Sequence, residues 1–336
     1  MNATTVKSNA GRVLKVVILP LAIYLVMLIS TGGRFGMGNS MTLVLRQSVI
    51  PILIALAIGC NMTIGMWDFS AGGVVMTAAF LGGYFAKETG AGIVGMLVIC
   101  MAVAIGLTML TGLLYNLMKV PSLVLTVGLV MVYEAIPRLL SLTRVQINIK
   151  DGVLSQSPWC FIILIGMFVL FYIVFNYTTF GFNVKAIGAN QAIANSAGVN
   201  LSKTKFIAFT FGGVFLGVAA TLYMSNMTTL VPPTAFGSVG LIFDAMMGIF
   251  VAFFLQRYCN FAIGIVIGTI AMQMLNSGLV ALGLETTMRD ITSGLFLLVL
   301  LIVSSNQGRI EDIRTRKQLA RKANEQYKIL HTSRSK

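Results

Sequence analysis

Apolar runs long enough, or nearly so, to cross a membrane recur along the whole chain and are separated by short polar breaks. Read in order they predict helices over 13–30, 43–64, 69–86, 92–117, 121–140, 158–177, 206–225, 240–256, 260–282 and 288–305. Ten helices of this kind suit a hydrocarbon core of about 30 Å crossed at about 1.5 Å per residue. The long polar interruption runs from Asn176 to Phe206. Within it Asn190 is placed as an N-cap, residues 191–197 give about two helical turns, and Gly198 stands where a left-handed C-terminal cap is usual. A helix this brief is marginal alone, so it rests either on this protein or on a partner.

Composition agrees with the pattern. Of 336 residues 57% are hydrophobic and only 10% charged, which describes an all-α polytopic membrane protein. The net charge of +14 raises nucleic acid as a partner, but the basic residues gather at the two ends and in the polar interruption instead of on one amphipathic face. They read as topology signals, and no nucleic-acid role follows. Cys60, Cys100, Cys160 and Cys259 are widely separated and the only histidine is His331, so neither a disulfide framework nor a metal site is expected.

The first run follows Lys7, Arg12 and Lys15. A cleaved signal peptide is the rival reading, but Gly32-Gly33-Arg34-Phe35 is a poor cleavage region. With residues 1–12 inside as a cytoplasmic N-terminus, ten spans place Lys119, the interruption with Lys185, Lys203 and Lys205, Arg257 and the tail 306–336 on the cytoplasmic side. From Arg309 onward that tail holds nine Lys or Arg against Glu311, Asp312 and Glu325. Opposite fall Arg34, Arg46, Lys87 with Glu88, the Arg144–Asp151 loop and Glu285 with Arg289 and Asp290. The inside is the more positive side, as the positive-inside rule requires, and the tail is also suited to anionic lipid.

Charged residues within the spans are scarce, with Asp68, Glu134, Arg138 and Asp244 as the main candidates. No relay of carboxylates is present, which argues against a proton-coupled pump. Glycines spread through the helices, such as Gly72-Gly73 and Gly212-Gly213, suit close helix packing; a channel remains open at this point, although no filter-like repeat occurs.

Five stretches carry a resemblance. Asp68-Phe69-Ser70-Ala71-Gly72, preceded by Gly65, is similar to the Gly-Gly-Ile-Asp-Leu-Ser-Val-Gly signature of ABC importer permeases of the ribose, xylose and galactoside type, in the branched-chain amino acid and sugar permease superfamily. Gly112 to Asn116 followed by Pro121, Thr126 and Gly128 resembles its Gly-x-x-x-Asn and Pro-x-x-x-x-Thr-x-Gly segment. Thr179-Phe180-Gly181 through Ala186-Ile187-Gly188-Ala-Asn190 to Gly198-Val199 is the closest match. Asp244-Ala245 and Gly264, Gly268-Thr269 and Asn276-Ser277-Gly278-Leu279 follow in the family's order, so the resemblance spans roughly Met41 to Ser304.

The resemblance implies a permease domain over 13–305 built as two inverted halves of five helices, in a bacterial plasma membrane with both termini cytoplasmic. It implies no cofactor in this chain, ATP-Mg on a separate ATPase subunit, an extracytoplasmic solute-binding protein, and a second permease, identical or related, lining the path jointly. The sequence has no GxxxxGK[ST] loop to cradle phosphates, which fits a permease without enzymatic activity. The interruption 178–206 then becomes a coupling loop docked on the ATPase, with Phe180, Gly181, Ala186, Ile187, Gly188, Asn190, Ile193, Ala194 and Gly198 as its coupling residues. Ala192, Ile193 and Ala197 offer an apolar stripe at helical spacing; a helix resting on lipid headgroups is the alternative.

A path for a monosaccharide calls for hydroxyl-matching groups. Ser70, Asn116, Thr126, Gln273 and Asn276 are candidates, with interhelical hydrogen bonding as their other use. Asp68 is placed either to cap the following helix or to meet solute, and Asp244 is open to the same two roles.

The departures are local. Where the family has a glycine-rich turn, this chain has Ala252-Phe253-Phe254-Leu255-Gln256-Arg257-Tyr258-Cys259-Asn260, and Ala192 replaces the family's acid. Nucleosides, a furanosyl signal and branched-chain amino acids are the alternative solutes. A non-transporting permease-like scaffold, or an ion-coupled transporter, is the alternative of another class.

Overall fold

The computed structural model describes residues 3–36, 40–140, 143–234 and 236–285, and beyond these positions 287–288, 291–292, 294–296, 298–299 and 302; the side chains of residues 3–15 and 149–151 are outside this description. Met1–Leu284 forms one compact unit and Glu285–Lys336 another. In the second, the described positions from 287 onward are helical. Much of the expected span 288–305, and all of the tail 306–336, lie outside the described residues.

The first unit is all-α apart from one short ribbon. Its helices are α1 (Ala3–Ser30), α2 (Ser40–Ile64), α3 (Ser70–Thr89), α4 (Gly92–Met118), α5 (Ser122–Leu139), α6 (Trp159–Tyr177), α7 (Thr179–Ala189), α8 (Gln191–Ser196), α9 (Leu201–Met227), α10 (Val239–Leu255) and α11 (Phe261–Ala281). Among the described residues six of them, α2, α4, α5, α6, α9 and α11, are long and apolar enough to cross a membrane. The segment Val16–Ser30 of α1 and the whole of α10 are apolar but shorter. The helix positions follow the apolar runs except at two starts: α1 begins ten residues before its run, and α9 five residues before, where Asn200 caps it by accepting from the Lys203 amide at 2.9 Å.

Burial sorts the helices. The apolar windows of α2 and α9 are each 67% buried, against 22% for α4 and 17% for α6. The first two therefore form the centre, and the last two present mostly surface suited to lipid. Small residues allow the close approach. A Cβ on Gly212 of α9 would lie 2.8 Å from the Ala57 carbonyl oxygen of α2, and one on Gly217 would lie 2.6 Å from Cα of Met101 on α4. The central helix is thus gripped from two sides through glycines, as close packing of apolar helices in lipid requires. Likewise Gly268 of α11 faces the Gly248 carbonyl of α10.

The connections gather at two ends. At one, the strands β1 (Val145–Gln146) and β2 (Thr229–Leu230) pair antiparallel, with Val145 opposite Leu230. At the other, the α2 terminus meets α7, and α6 meets the α10–α11 turn, where Asn260 Nδ2 donates to Asn176 Oδ1 at 2.9 Å. Asn116 near the end of α4 reaches the start of α9, donating to the Ser202 carbonyl at 3.0 Å.

Candidate functional site

The polar segment between α6 and α9 folds into two helices where the sequence predicts one. That expectation needs correcting: besides α8, residues 179–189 form α7, opened by Thr178, whose hydroxyl accepts from the Gly181 amide at 3.3 Å. Its stability comes from contact, not from a periodic pattern legible in eleven residues. Gly188 lies directly on the Thr63 carbonyl at the end of α2, and Gly181 lies on the Phe175 carbonyl of α6. Any Cβ at either position would overlap those oxygens.

The short helix α8 forms as its capping residues dictate. Asn190 is extended (φ −163°) and its side-chain oxygen accepts from the amides of Ala192 at 2.9 Å and Ile193 at 3.1 Å. Gly198, at φ +86°, turns the chain out of the helix in the left-handed region that favours glycine. The nine residues singled out in this segment divide by burial. Gly181, Ile187 and Ala194 are buried and Phe180 is half-buried, its ring 5.8 Å from that of Phe211. Ala186, Gly188, Asn190, Ile193 and Gly198 are exposed. Ile193 leaves 68% of its surface open on a helix of six residues, and Ala192 and Ala197 are exposed beside it.

A second polar cluster sits in the interior. Asp68, 3% exposed, accepts from the Ser70 hydroxyl at 2.6 Å and from Asn61 Nδ2 at 3.2 Å. Ser70 is the first residue of α3, so its hydroxyl ties this carboxylate to the start of that helix. Among the described residues only Asn61 Oδ1 is a buried side-chain polar atom with no partner. Thr126 accepts from the Phe69 amide at 3.2 Å and donates toward the Trp67 carbonyl at 3.1 Å and the Ser122 carbonyl at 2.9 Å. Thr126 therefore fixes the 65–69 connection against α5, while Ser70 holds Asp68 to the start of α3; both are fully buried.

Beside them Tyr133 donates to the Leu107 carbonyl at 2.9 Å and pairs with the Thr111 hydroxyl at 2.8 Å. At the next position of α5, Glu134 Oε1 accepts from both the amide and the hydroxyl of Ser238, at 2.8 and 2.6 Å, and so caps the start of α10. Arg138 donates to the Pro233 carbonyl at 3.0 Å. Two charges isolated in an apolar run thus anchor the connection before α10, partners that the sequence gives no means to identify.

A cavity of about 380 Å³ lies between α2, α9, α10 and α11 and the connection leading to α6. Its polar lining is Arg46, Gln47, Ser155, Tyr223, Asn226, Asp244 and Gln273, set among apolar residues such as Ile50, Leu222 and Leu241. Arg46 Nε donates to the Ser155 carbonyl at 3.0 Å. Gln47 Oε1 accepts from Gln273 Nε2 at 3.2 Å and from the Ser277 hydroxyl at 3.3 Å, and Asp244 Oδ1 accepts from Asn276 Nδ2 at 3.2 Å. Gln273 lines this cavity and Asn276 supports a carboxylate that does. Ser70, Asn116 and Thr126 do not line it. Arg46, Gln47 and Asn226 are lining residues that motif reading passed over, because arginine and amides near the ends of apolar runs look like topology or packing signals.

Comparison with known proteins brings these features together. Residues 40–304 match the family described as "Branched-chain amino acid transport system / permease component". The chain is 26% identical to the autoinducer 2 import system permease protein LsrC of Photorhabdus luminescens, over 79% of this chain and 81% of that protein. It is 23% identical to the galactofuranose transporter permease protein YtfT of Escherichia coli (strain K12), over 81% and 82% of the two chains. With the L-arabinose transport system permease protein AraH of the same organism it shares 35% identity, over 24% of this chain and 25% of the other. No solved structure matches the chain.

Proposed function

The chain belongs to the branched-chain amino acid transport system permease family, and from that premise we propose that it is the transmembrane permease subunit of an ABC importer for a monosaccharide or similar small polar solute. The observation that carries this reading is α8: a short, doubly capped helix that leaves Ile193 open to solvent at the end of the bundle away from the β1–β2 ribbon. A lone isoleucine side chain 68% exposed on a helix marginal by itself suits insertion into a groove of a partner. In this reading the partner is the ATPase subunit, which holds ATP-Mg, while a solute-binding protein delivers from the opposite side.

The topology of the proposal is ten spans in a bacterial inner membrane, arranged as two inverted halves, with both termini and the α7–α8 segment cytoplasmic and a second permease beside this one. The names of the relatives, which concern autoinducer 2, galactofuranose and L-arabinose, support a sugar or furanosyl solute. The cavity is suited to such a guest: it offers amides, a phenol and hydroxyls among apolar walls. Its charged lining residues are one of each sign, Arg46 and Asp244, which favours a neutral or zwitterionic solute over one of net charge. We assign Gln273, Asn276 and Asp244 to the solute path, and Ser70, Thr126, Asn116 and Asp68 to holding the backbone around it.

Function then follows from the elements that run between the two ends. Helix α2 carries Thr63 under α7 at one end and Arg46 and Gln47 at the cavity. A displacement of the docked segment by ATP binding on the partner reaches the cavity wall along this helix, the mechanical core of alternating access. The test is ATP hydrolysis by the purified complex, stimulated by solute-loaded binding protein. Ile193→Asp should lower the stimulation while leaving the chain inserted and folded; full stimulation of that variant contradicts the docking role.

A further inference from the structure

We propose that Asn176 is a positioning residue that clamps the docking segment to the α10–α11 turn, so that motion of α7 and α8 is passed to α10 and α11 and through them to the cavity. The inference rests on the importer reading above and adds a second line of transmission to the one along α2.

Three elements meet at this residue, α6, α7 and the start of α11. Asn176 stands in the last turn of α6 and is held there by its own Nδ2, which donates to the Tyr172 carbonyl at 3.0 Å. Its Oδ1 accepts from Lys185 Nζ of α7 at 3.1 Å and from Asn260 Nδ2 at 2.9 Å, while Nδ2 also approaches Asn260 Oδ1 at 3.4 Å. Asn260 in turn is the N-cap of α11, accepting from the Ala262 amide at 3.0 Å. One carbonyl oxygen thus ties the docking segment to the start of α11.

Apolar contacts run beside the polar ones. Lys185 Nζ lies 4.5 Å from the centre of the Phe175 ring and 5.6 Å from that of Phe182, contacts that favour the cation. Phe175 packs on Phe261 with centroids 5.5 Å apart, and Phe261 stacks on Phe253 at 5.1 Å. The bulky stretch from Ala252 to Asn260, which departs from the glycine-rich turn of similar permeases, therefore has a use here. Its Asn260 bears directly on the end of α6 that leads into the docking segment, and its Phe253 reaches that end through Phe261. From this turn α10 extends to Asp244, and α11 extends to Gln273 and Asn276. A shift of the clamp is a shift of two cavity-lining helices.

The experiment uses the complete complex, with ATPase and binding protein, in proteoliposomes, and reads solute transported per ATP hydrolysed. Asn260→Ser keeps a side chain that caps α11 and removes the reach to Asn176; Lys185→Met keeps the stem on the rings and removes the donor. Each should lower the ratio by about fivefold or more, the scale of coupling energies between sites, with basal hydrolysis and thermal stability close to wild type. Asn176→Ala combined with Asn260→Ser should be no worse than Asn176→Ala alone, since that change already removes the contact that Asn260→Ser breaks. Wild-type ratios in both Asn260→Ser and Lys185→Met overturn the proposal, as does a double variant whose losses multiply. If the wild-type complex itself shows no ATP-dependent uptake, the importer reading fails and the clamp as a transmission element fails with it; intact wild-type uptake with unaffected variants sinks the clamp alone.

Discussion

Glu134 shows how one buried carboxylate decides where a helix begins. It is 1% exposed, and its Oε1 takes both the amide and the hydroxyl of Ser238, placing negative charge at the N-terminus of α10 where the helix dipole favours it. Glu134→Ala leaves two buried donors unmet and should cost about 2–3 kcal/mol, the scale of hydrogen bonds to a charged group. Glu134→Gln keeps an acceptor and should recover a large part of that loss. Thermal unfolding in detergent separates the two; equal midpoints for both variants contradict the capping role. The sequence made Glu134 and Arg138 conspicuous as charges in an apolar run, but Ser238 is 104 residues away and nothing local points to it. Ser70 and Thr126 teach the same lesson. As hydroxyls in spans they suit either a path or a structural bond, and only the folded arrangement reveals their partners, the Asp68 carboxylate for Ser70 and backbone groups for Thr126.

At the scale of elements, α8 was legible because its signals are its own. Asn190 and Gly198 bracket it in the sequence, and both adopt the cap conformations those residue types suit. Helix α7 was not legible, because what fixes it is the seating of Gly188 on Thr63 and of Gly181 on Phe175, contacts between residues far apart or across a bend. The same distinction gives a prediction. Gly198→Pro forces φ from +86° to about −65° and should strain the exit of α8 by about 1–3 kcal/mol. The docking-competent conformation then falls in population, and solute-stimulated hydrolysis by the complex should drop by about fivefold or more, with membrane insertion unchanged. Stimulation at the wild-type level would contradict the role given to this turn.

For the whole molecule, the long helices of the first unit were readable from apolar runs because lipid leaves each helix to satisfy its own backbone, and among the described residues six of them are long and apolar enough to cross a membrane. Their partners were not, since packing through Gly212 and Gly217 depends on which backbones approach. Lys119 and Arg257 stand on connections, Lys203 in the first turn of α9 and Lys185 within α7, at the end of the bundle where α2 meets α7. The cavity was only partly foreshadowed. Gln273 and Asn276 were candidates by residue type, whereas Arg46 becomes a lining group because its Nε meets the Ser155 carbonyl across 109 residues. The account's central claim is that this bundle moves a small polar solute on energy supplied by a separate ATPase. Its most direct test is uptake of labelled pentoses and furanosyl sugars into proteoliposomes holding the complete complex, with an active or a hydrolysis-defective ATPase subunit. The account predicts accumulation with the active subunit and its loss with the defective one; uptake that continues unchanged without hydrolysis, or that follows an imposed ion gradient instead, would contradict it.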